Sequence, residues 1–394
     1  GLLLAVLSLV AADPPRPPSW VGLAVYVVCG ALGLWTLYYF AFLLVAVNLM
    51  VGVWWLVSWR RGRRNWAWLG RWLLAQGAVL LLYAPWLPVA WRQATQPPVP
   101  PWRGFTGLDS LLAETWTALS LGQSADPARV WPVLLLFALL FGLGLFHRTA
   151  RGPKAPAAWI LVGFVFLPLF FIYMASLITP LYHVRYVFTY ATPFYIIIAA
   201  GLLWLGRRWR PAQGLGLAVI LVFSGLSIYA YHADGNYASD DHRVATRFLA
   251  ERWRPGDAVL VNAGYAYTAL LTYWDGDPVA WRGRLGADPG GAAQRGLVVV
   301  QTGTVDGDPS LGWGDPGSDF YAMSQADATE ALGRLFGQFD RVWVYRIYDT
   351  VTDPGGFIRR WLEENGTQFE DRVFTGQSQL RVQGFVTGRD PLAG

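Results

Sequence analysis

Apolar residues fill the chain up to His232 in long runs that contain almost no charged side chains. A bilayer core of about 30 Å needs roughly 20 apolar residues at helical rise, and several of these runs reach that length. The pattern predicts a multi-span helical membrane domain over residues 1–231, with one partial span at Gly1 to Ala12 and seven full spans. The full spans are predicted at Trp20 to Thr36, Tyr38 to Trp59, Trp66 to Pro88, Val130 to Phe146, Ala158 to Ile178, Arg185 to Leu205 and Gly214 to Tyr231.

Two features of the first apolar runs set their boundaries. One uninterrupted helix from Trp20 to Trp59 would be about 60 Å long, twice the thickness of the bilayer core, so we predict a break near Leu37. The chain starts inside an apolar run and its first residue is Gly1, not Met. We therefore expect that part of the protein precedes Gly1.

After His232 the pattern changes to amphipathic helices that alternate with short apolar strands. Helices are predicted at His242 to Trp253, Ala266 to Trp274, Gln325 to Phe339 and Gly356 to Asn365. Strands are predicted at Ala258 to Asn262, Leu297 to Gln301, Val342 to Tyr345, Gln368 to Phe374 and Leu380 to Val386. Such alternation is typical of a doubly wound sheet, so residues 232–394 are predicted to form a soluble α/β domain with a mostly parallel sheet.

Basic residues indicate the orientation, because cytoplasmic loops of membrane proteins are enriched in Lys and Arg. Three predicted loops carry them: Arg60, Arg61, Arg63 and Arg64; Arg148, Arg151 and Lys154; and Arg207, Arg208 and Arg210. The loops at 89–129 and 179–184 are poor in basic residues for their length and are predicted to face outward. We therefore expect a multi-pass protein of the cell (inner or plasma) membrane with an extracytoplasmic C-terminal domain.

Composition narrows the classes of function. The net charge of +5 comes largely from the loops predicted to be cytoplasmic, so nucleic acid is not an expected partner, whereas membrane lipids are. Many of the 22 tryptophans fall at predicted span ends, as expected for headgroup anchors. The predicted spans contain no buried carboxylate, which argues against an ion-coupled transporter. Asn48 and Gln76 are interpreted as hydrogen-bonding groups between helices.

The long outer loop offers two carboxylates as weak candidates for a general base. Residues 108–121 have helical periodicity and are predicted to lie flat at the outer interface, with the apolar stripe in the acyl boundary. Asp109 and Glu114 lie on this helix. Their separation of five residues places them about 140° apart, so they cannot act as a close pair. A solvated helix face with a favourable N-terminal charge is the alternative that we prefer.

The short outer turn Thr179 to Tyr186 is the second candidate site. Arg185 can bind phosphate bidentately, with Tyr186 and His183 beside it as further hydrogen-bonding groups. The alternative, which composition alone favours, is an interfacial arginine that snorkels to bulk lipid phosphates.

Acidic residues in the C-terminal domain are candidates for a metal site, and the sequence leaves open whether a divalent metal ion is a cofactor. Asp275 with Asp277 and Asp306 with Asp308 match an Asp-x-Asp metal-binding pattern, although Pro follows each pair and turn chemistry is preferred. A second acidic and histidine-rich group could bind a divalent ion, but a solvated linker is preferred. Its members are His232, Asp234, Asp240, Asp241 and His242. No residue is therefore assigned as a metal ligand.

Three segments carry a family resemblance: Leu34 to Phe40; Leu82 to Pro88 followed by Arg92 and Gln93; and Arg185-Tyr186 leading into Tyr190 to Pro193. Together they resemble the bacterial relatives of protein O-mannosyltransferases and lipid A aminoarabinose transferases. These enzymes are membrane-embedded GT-C glycosyltransferases of family 39. The resemblance covers the membrane part and extends loosely to the C-terminal domain.

The resemblance implies transfer of a sugar from a polyprenyl-phosphate donor to an envelope glycan, lipid or protein acceptor on the outer face of the membrane. It makes Arg185, with Tyr186 and His183, the leading group for binding the lipid phosphate, and Arg92 the second. The family's catalytic carboxylate would fall upstream of Gly1, so the catalytic residue is unknown here and this chain alone is expected to be inactive. Leu37 stands where the family usually has His, which puts a polar role there in doubt. The alternatives are a membrane-anchored envelope glycan-binding or assembly protein, and a lipid-linked oligosaccharide flippase.

Overall fold

The computed structural model of the chain describes residues 1–10, 19–62, 66–99, 104–149, 155–315 and 317–388. It divides into two compact units, of which the second begins at His232 and also includes residues 92–102. The sequence analysis predicted a domain boundary between residues 231 and 232 and did not assign residues 92–102 to the C-terminal unit. Among the predicted cytoplasmic residues, Arg63, Arg64, Arg151 and Lys154 lie outside the described residues, as do Ala11 and Ala12 of the predicted partial span.

The N-terminal unit is helical. Its helices are α1 (Leu2–Val10), α2 (Trp20–Thr36), α3 (Phe40–Arg60), α4 (Trp66–Tyr83), α5 (Leu87–Thr95), α6 (Leu108–Leu121), α7 (Pro127–Thr149), α8 (Ala155–Ser176), α9 (Val184–Val187), α10 (Ala191–Arg208) and α11 (Arg210–Ala233), the ends of α5 and α11 passing into the second unit. A 3₁₀ turn at Ala84–Trp86 joins α4 to α5, and another at Phe188–Tyr190 joins α9 to α10.

Among the residues that the structure describes, six helical stretches are long and apolar enough to cross a membrane, which indicates a multi-pass membrane protein. They are Phe40–Arg60, Trp66–Thr95, Pro127–Phe146, Ala157–Ser176, Val184–Arg208 and Arg210–Ala233. The seventh predicted full span, Trp20–Thr36, is a shorter apolar helix of 17 residues. It ends at Leu37, where the backbone is extended (φ −155°), so the chain breaks at the predicted point.

Two features hold these helices together. Helices α7 and α10 pack backbone to backbone, because a Cβ atom at Gly201 would lie 1.9 Å from the carbonyl oxygen of Leu140. Elsewhere a polar network joins α2, α3 and α4: the Asn48 amide and the Tyr26 hydroxyl both donate to Oε1 of Gln76, at 3.0 and 3.1 Å, and Trp72 donates to Asn48. This is the interhelical hydrogen bonding predicted for Asn48 and Gln76.

The C-terminal unit is an α/β domain. Its helices are α12 (His242–Ala250), α13 (Tyr267–Thr272), α14 (Gln325–Gln338), α15 (Asp349–Thr352) and α16 (Phe357–Asn365). Its strands are β1 (Ala258–Val261), β2 (Val279–Arg284), β3 (Leu297–Gln301), β4 (Thr304–Val305), β5 (Ala322–Met323), β6 (Arg341–Arg346), β7 (Thr367–Val373) and β8 (Arg381–Val386). Six of these strands form one sheet in the order β2-β3-β1-β6-β8-β7, and β4 pairs with β5.

The prediction of a mostly parallel sheet is wrong, because the sheet is mixed. Strands β2, β3, β1 and β6 are parallel, whereas β8 runs antiparallel to both β6 and β7. The short turn between β7 and β8 contains no crossover helix, and two strands joined in this way pair as an antiparallel hairpin. The sequence analysis also missed β2, whose half-exposed residues include Arg282 and Arg284 and lack the apolar run of a central strand.

Helices cover both faces of the sheet. Alternate residues of β1, Ala258 and Leu260, pack with α14 and α16, while Val259 and Val261 pack with α12 and α13. All four side chains are fully buried. Burial on both faces explains why β1 and β3 are continuous apolar runs in the sequence.

Candidate functional site

Tyr39, at the start of α3, joins the first and third segments of the family resemblance. Its ring stacks on that of Tyr186, with centroids 4.0 Å apart and planes at 24°. Its hydroxyl donates a hydrogen bond to the carbonyl of Leu181, and its own carbonyl accepts one from the hydroxyl of Tyr190 at 2.7 Å. We call Tyr39, Tyr186, Tyr190 and the Leu181 carbonyl the Tyr39 cluster. It ties the end of α2 to the turn before α10.

The second segment contacts the first. Trp35 Nε1 donates to the carbonyl of Leu82 at 3.2 Å, and Trp86 Nε1 donates to the hydroxyl of Tyr38 at 2.8 Å. The rings of Trp35 and Trp86 lie 5.5 Å apart. Residues 34–40 thus contact both other segments, although about 50 and 150 positions of chain separate them.

Side-chain hydrogen bonds fix the turn that follows α8. The hydroxyl of Ser176 accepts hydrogen bonds from the backbone N–H groups of Leu181 and Tyr182, both at 3.2 Å. The buried hydroxyl of Tyr182 pairs with that of Thr115 on α6 at 3.0 Å. Nδ1 of His183 then accepts from the N–H of Arg185 at 3.2 Å and caps α9. Capping is therefore the role that the structure gives to His183.

Arg185 is exposed and next to the Tyr39 cluster. Its guanidinium donates to the hydroxyl of Tyr186 at 3.2 Å. Within the described part of the chain no carboxylate forms an ion pair with it, whereas Arg129 is paired with Asp126 at 3.2 Å. A guanidinium without a carboxylate partner keeps its donors and its charge available for an anion. Arg185, Tyr186 and His183 are thus neighbours at the start of α9, and their binding of phosphate stays a prediction.

Arg92, the second predicted phosphate ligand, has a different environment. It belongs to the C-terminal unit, where its guanidinium lies 4.5 Å from the centroid of the Trp313 ring. The same tryptophan donates a hydrogen bond to the carbonyl of Gln96 at 2.6 Å. This cation–π contact gives Arg92 a packing role within that unit.

The two candidate carboxylates lie on α6, and both are exposed. Asp109 is in the first turn of α6, where a negative charge interacts favourably with the helix dipole. Glu114 lies close to the turn after α8: burial first, and to a smaller extent the charge of Glu114, raises the pKa of Tyr182 to about 12. Glu114 is therefore near Tyr182, on a different face of α6 from Asp109.

The predicted apolar stripe of α6 is only partly correct. Leu111, Thr115 and Leu119 are buried, but Leu108 and Leu112 are exposed. The buried face packs against α7 and α9 inside the N-terminal unit. Protein therefore covers Leu111, Thr115 and Leu119 of the stripe that was predicted to lie in the acyl boundary, and leaves Leu108 and Leu112 open.

Several candidate metal ligands of the C-terminal unit have structural roles. Asp308 Oδ1 accepts from the N–H of Ser310 at 2.8 Å, and this hydrogen bond lowers the pKa of Asp308. Asp241 caps α12, Asp240 accepts from the N–H of Ser378, and His242 pairs with the hydroxyl of Tyr345. Among the residues that the structure describes, no group of three His, Cys, Asp or Glu side chains is placed to hold a metal ion.

Tyr39 is the site residue that the sequence analysis did not name, although it lies within the first resembling segment.

In comparisons with known proteins, no family model, no curated protein and no solved structure matches the chain.

Proposed function

We propose that this protein is a GT-C-like membrane glycosyltransferase that moves a sugar from a polyprenyl-phosphate donor to an acceptor on the outer face of the membrane. The observation that supports the proposal best is the convergence of three distant segments on residues 34–40, with the exposed Arg185 beside them. Helix packing alone does not require that a charged side chain stand next to stacked tyrosines at a span end.

The chemistry of a lipid-linked donor fits this arrangement. Its phosphate stays at the membrane interface while the polyprenyl chain lies among the acyl chains. Arg185 is the second residue of the apolar stretch Val184–Arg208, so it would meet the phosphate at interface depth. The hydroxyl of Tyr186 lies 3.2 Å from the Arg185 guanidinium and is a second donor for the same phosphate. The stack with Tyr39 restricts the Tyr186 ring, which lowers the entropy lost on binding.

The proposed orientation follows the basic residues. Arg60 ends α3 and Arg61 follows it, Arg207 and Arg208 end α10, and Arg210 begins α11. With these loops in the cytoplasm, the turn before α9 faces outward, and so does the chain after α11. Glu114 is a carboxylate near Tyr182 that can orient an acceptor hydroxyl.

Binding of the carrier tests the proposal without requiring the catalytic base. The chain is reconstituted in nanodiscs and titrated with undecaprenyl phosphate. Hydrogen bonds to charged groups contribute about 1.5–3 kcal/mol, so we expect Arg185→Ala to weaken binding by about tenfold or more. Arg185→Lys should lose less affinity than Arg185→Ala because it keeps the charge. It should still bind more weakly than wild type because it lacks the fork of guanidinium donors.

Arg129→Ala is the matched control, since Arg129 is an exposed arginine of the same unit that already has a carboxylate partner. Its affinity should stay within about twofold of the wild-type value, a difference below 0.5 kcal/mol. Equal losses in the Arg185 and Arg129 variants, or no loss in either, would reject the phosphate role of Arg185.

A further inference from the structure

The C-terminal unit contains a cavity of about 670 Å³ at the carboxyl ends of β1 and β6. From β1 the chain goes to β2 and β3 on one side of the sheet, and β6 pairs with β1 on the other side. The cavity therefore lies where the strand order reverses, which is where open α/β sheets bind their ligands. Its volume falls in the range of small-ligand sites.

Three aromatic rings line one wall of this cavity. The ring of Tyr265 lies 5.1 Å from that of Phe320 and 5.8 Å from that of Tyr348. Gly264 allows this approach, because a Cβ there would lie 2.6 Å from the carbonyl oxygen of Asp319. Burial, and to a smaller extent Tyr348, raises the pKa of Tyr265 to about 12, so its hydroxyl stays protonated at neutral pH and can donate a hydrogen bond.

Charges at the cavity are already paired within the protein. Arg346 binds Asp349 and donates to Oε1 of Gln383 at 3.2 Å. Arg381, the second arginine at the wall, is 3.0 Å from Asp371. A ligand in this cavity would meet two arginines whose charges are neutralised by carboxylates. Arg185, at the start of α9, has no such partner within the described part of the chain. This arrangement does not favour a phosphate or another anion as the main group recognised.

Uncharged hydrogen-bonding side chains complete the lining: Thr350, Gln377, Ser378 and Gln379. Tyr348 and Gln379 have left-handed backbones, with φ of 56° and 50°. Only four non-glycine residues of the described ranges have positive φ, and these two both line the cavity. Such conformations cost free energy and concentrate at binding sites, where the surrounding structure holds them in place.

We propose that this cavity is a binding site for a neutral saccharide. A sugar ring presents an apolar face of C–H groups, which stacks on aromatic rings, and hydroxyl groups at its edge, which pair with amides, hydroxyls and carboxylates. The rings of Tyr265, Phe320 and Tyr348 provide the aromatic wall on which the C–H face can stack. The glutamine, serine and threonine side chains of the lining provide the hydrogen-bonding partners for the sugar hydroxyls. The site lies in the C-terminal unit and goes beyond the proposed phosphate site, whose failure would leave it standing.

The full chain in nanodiscs tests this by calorimetric titration with neutral tetrasaccharides of mannose, glucose (α- and β-linked) and N-acetylglucosamine, and with UMP and AMP. We expect at least one tetrasaccharide to bind saturably below about 1 mM. Tyr265→Ala should weaken that binding by about tenfold or more, as loss of a central aromatic contact does. Thr350→Trp is a second variant that keeps all three rings; Thr350 is exposed, so the substitution fills the cavity with little effect on folding.

Tyr273→Ala is the matched control, because Tyr273 is an aromatic residue of the same unit that packs beside Arg243 and is outside the cavity lining. It and Arg185→Ala should leave saccharide binding within about twofold of wild type. The proposal is overturned if no tetrasaccharide binds, if a nucleotide binds more tightly than every saccharide, or if Tyr273→Ala weakens binding as much as Tyr265→Ala.

Discussion

Asn262, at the end of β1, offers a quantitative test of how the C-terminal unit is held together. It is 3% exposed, and its side chain joins two strands. Its Oδ1 accepts from the N–H of Ile347 at 2.8 Å, and its Nδ2 donates to Oδ1 of Asp349 at 2.5 Å. Asn262→Ala removes both hydrogen bonds and leaves the buried N–H of Ile347 without its acceptor.

The expected loss follows from these two contacts. A buried donor left without an acceptor costs about 1–3 kcal/mol. Asp349 keeps Arg346 and is one-third exposed, so water replaces part of the second hydrogen bond and adds only about 0.5–1 kcal/mol. The sum is about 1.5–4 kcal/mol, a large part of the stability of a domain of this size. It corresponds to a melting temperature lower by about 10 °C.

The chain has two units, so a local measurement is preferable to a single melting curve. Hydrogen exchange with mass spectrometry should show faster exchange in peptides from β1 and β6 of Asn262→Ala and unchanged exchange in α3 and α8. Asn365→Ala is the control, since Asn365 is exposed and donates only to its own helix at Trp361. The reasoning is refuted if the exchange of β1 and β6 is the same in both variants.

Three further outcomes are expected. Gly201→Ala should destabilise the N-terminal unit in detergent by about 2 kcal/mol or more, because its Cβ would overlap the Leu140 carbonyl, whereas Gly214→Ala meets open space and should cost nothing; equal melting temperatures would contradict this. Burial raises the pKa of Asp353, so its contribution makes the free energy of unfolding fall as pH rises from its ordinary pKa of 3.8 through the raised value; Asp353→Asn should flatten that part of a urea-unfolding series, and an unchanged slope would refute the assignment. With Cys29 replaced, a membrane-impermeant thiol reagent on intact cells should label Ala113→Cys on α6 but not Arg208→Cys at the end of α10; the reverse pattern would invert the proposed orientation.

The length of the apolar runs was sufficient to predict most of the membrane helices. A segment that crosses lipid must satisfy its backbone hydrogen bonds internally, and an apolar run does so by forming a helix. The break at Leu37 followed from length alone. Helix α2 has the predicted bounds, Trp20–Thr36, but with 17 residues it is a shorter apolar helix than the full spans. Part of the predicted lipid-facing stripe of α6, at Leu111 and Leu119, is covered by protein, because an amphipathic stripe does not distinguish lipid from neighbouring helices.

Long-range relations could not be predicted in the same way. The antiparallel pairing of β6 with β8 depends on how the last hairpin folds back onto the sheet. The composition of the two strands does not indicate this direction. Strand β2 at the sheet edge carries Arg282 and Arg284 and has no apolar run. The Tyr39 cluster and the cavity beside Tyr265 combine residues far apart in the chain, so only the folded structure brings them together.

The central claim is that a polyprenyl phosphate binds beside Arg185 and the Tyr39 cluster. Photocrosslinking with a polyprenyl phosphate that carries a diazirine next to the phosphate tests it most directly. We predict adducts within residues 181–190 and at Tyr39, and their loss in Arg185→Ala but not in Arg129→Ala. Adducts spread evenly over the exposed faces of α4 and α11, and unchanged by Arg185→Ala, would contradict it.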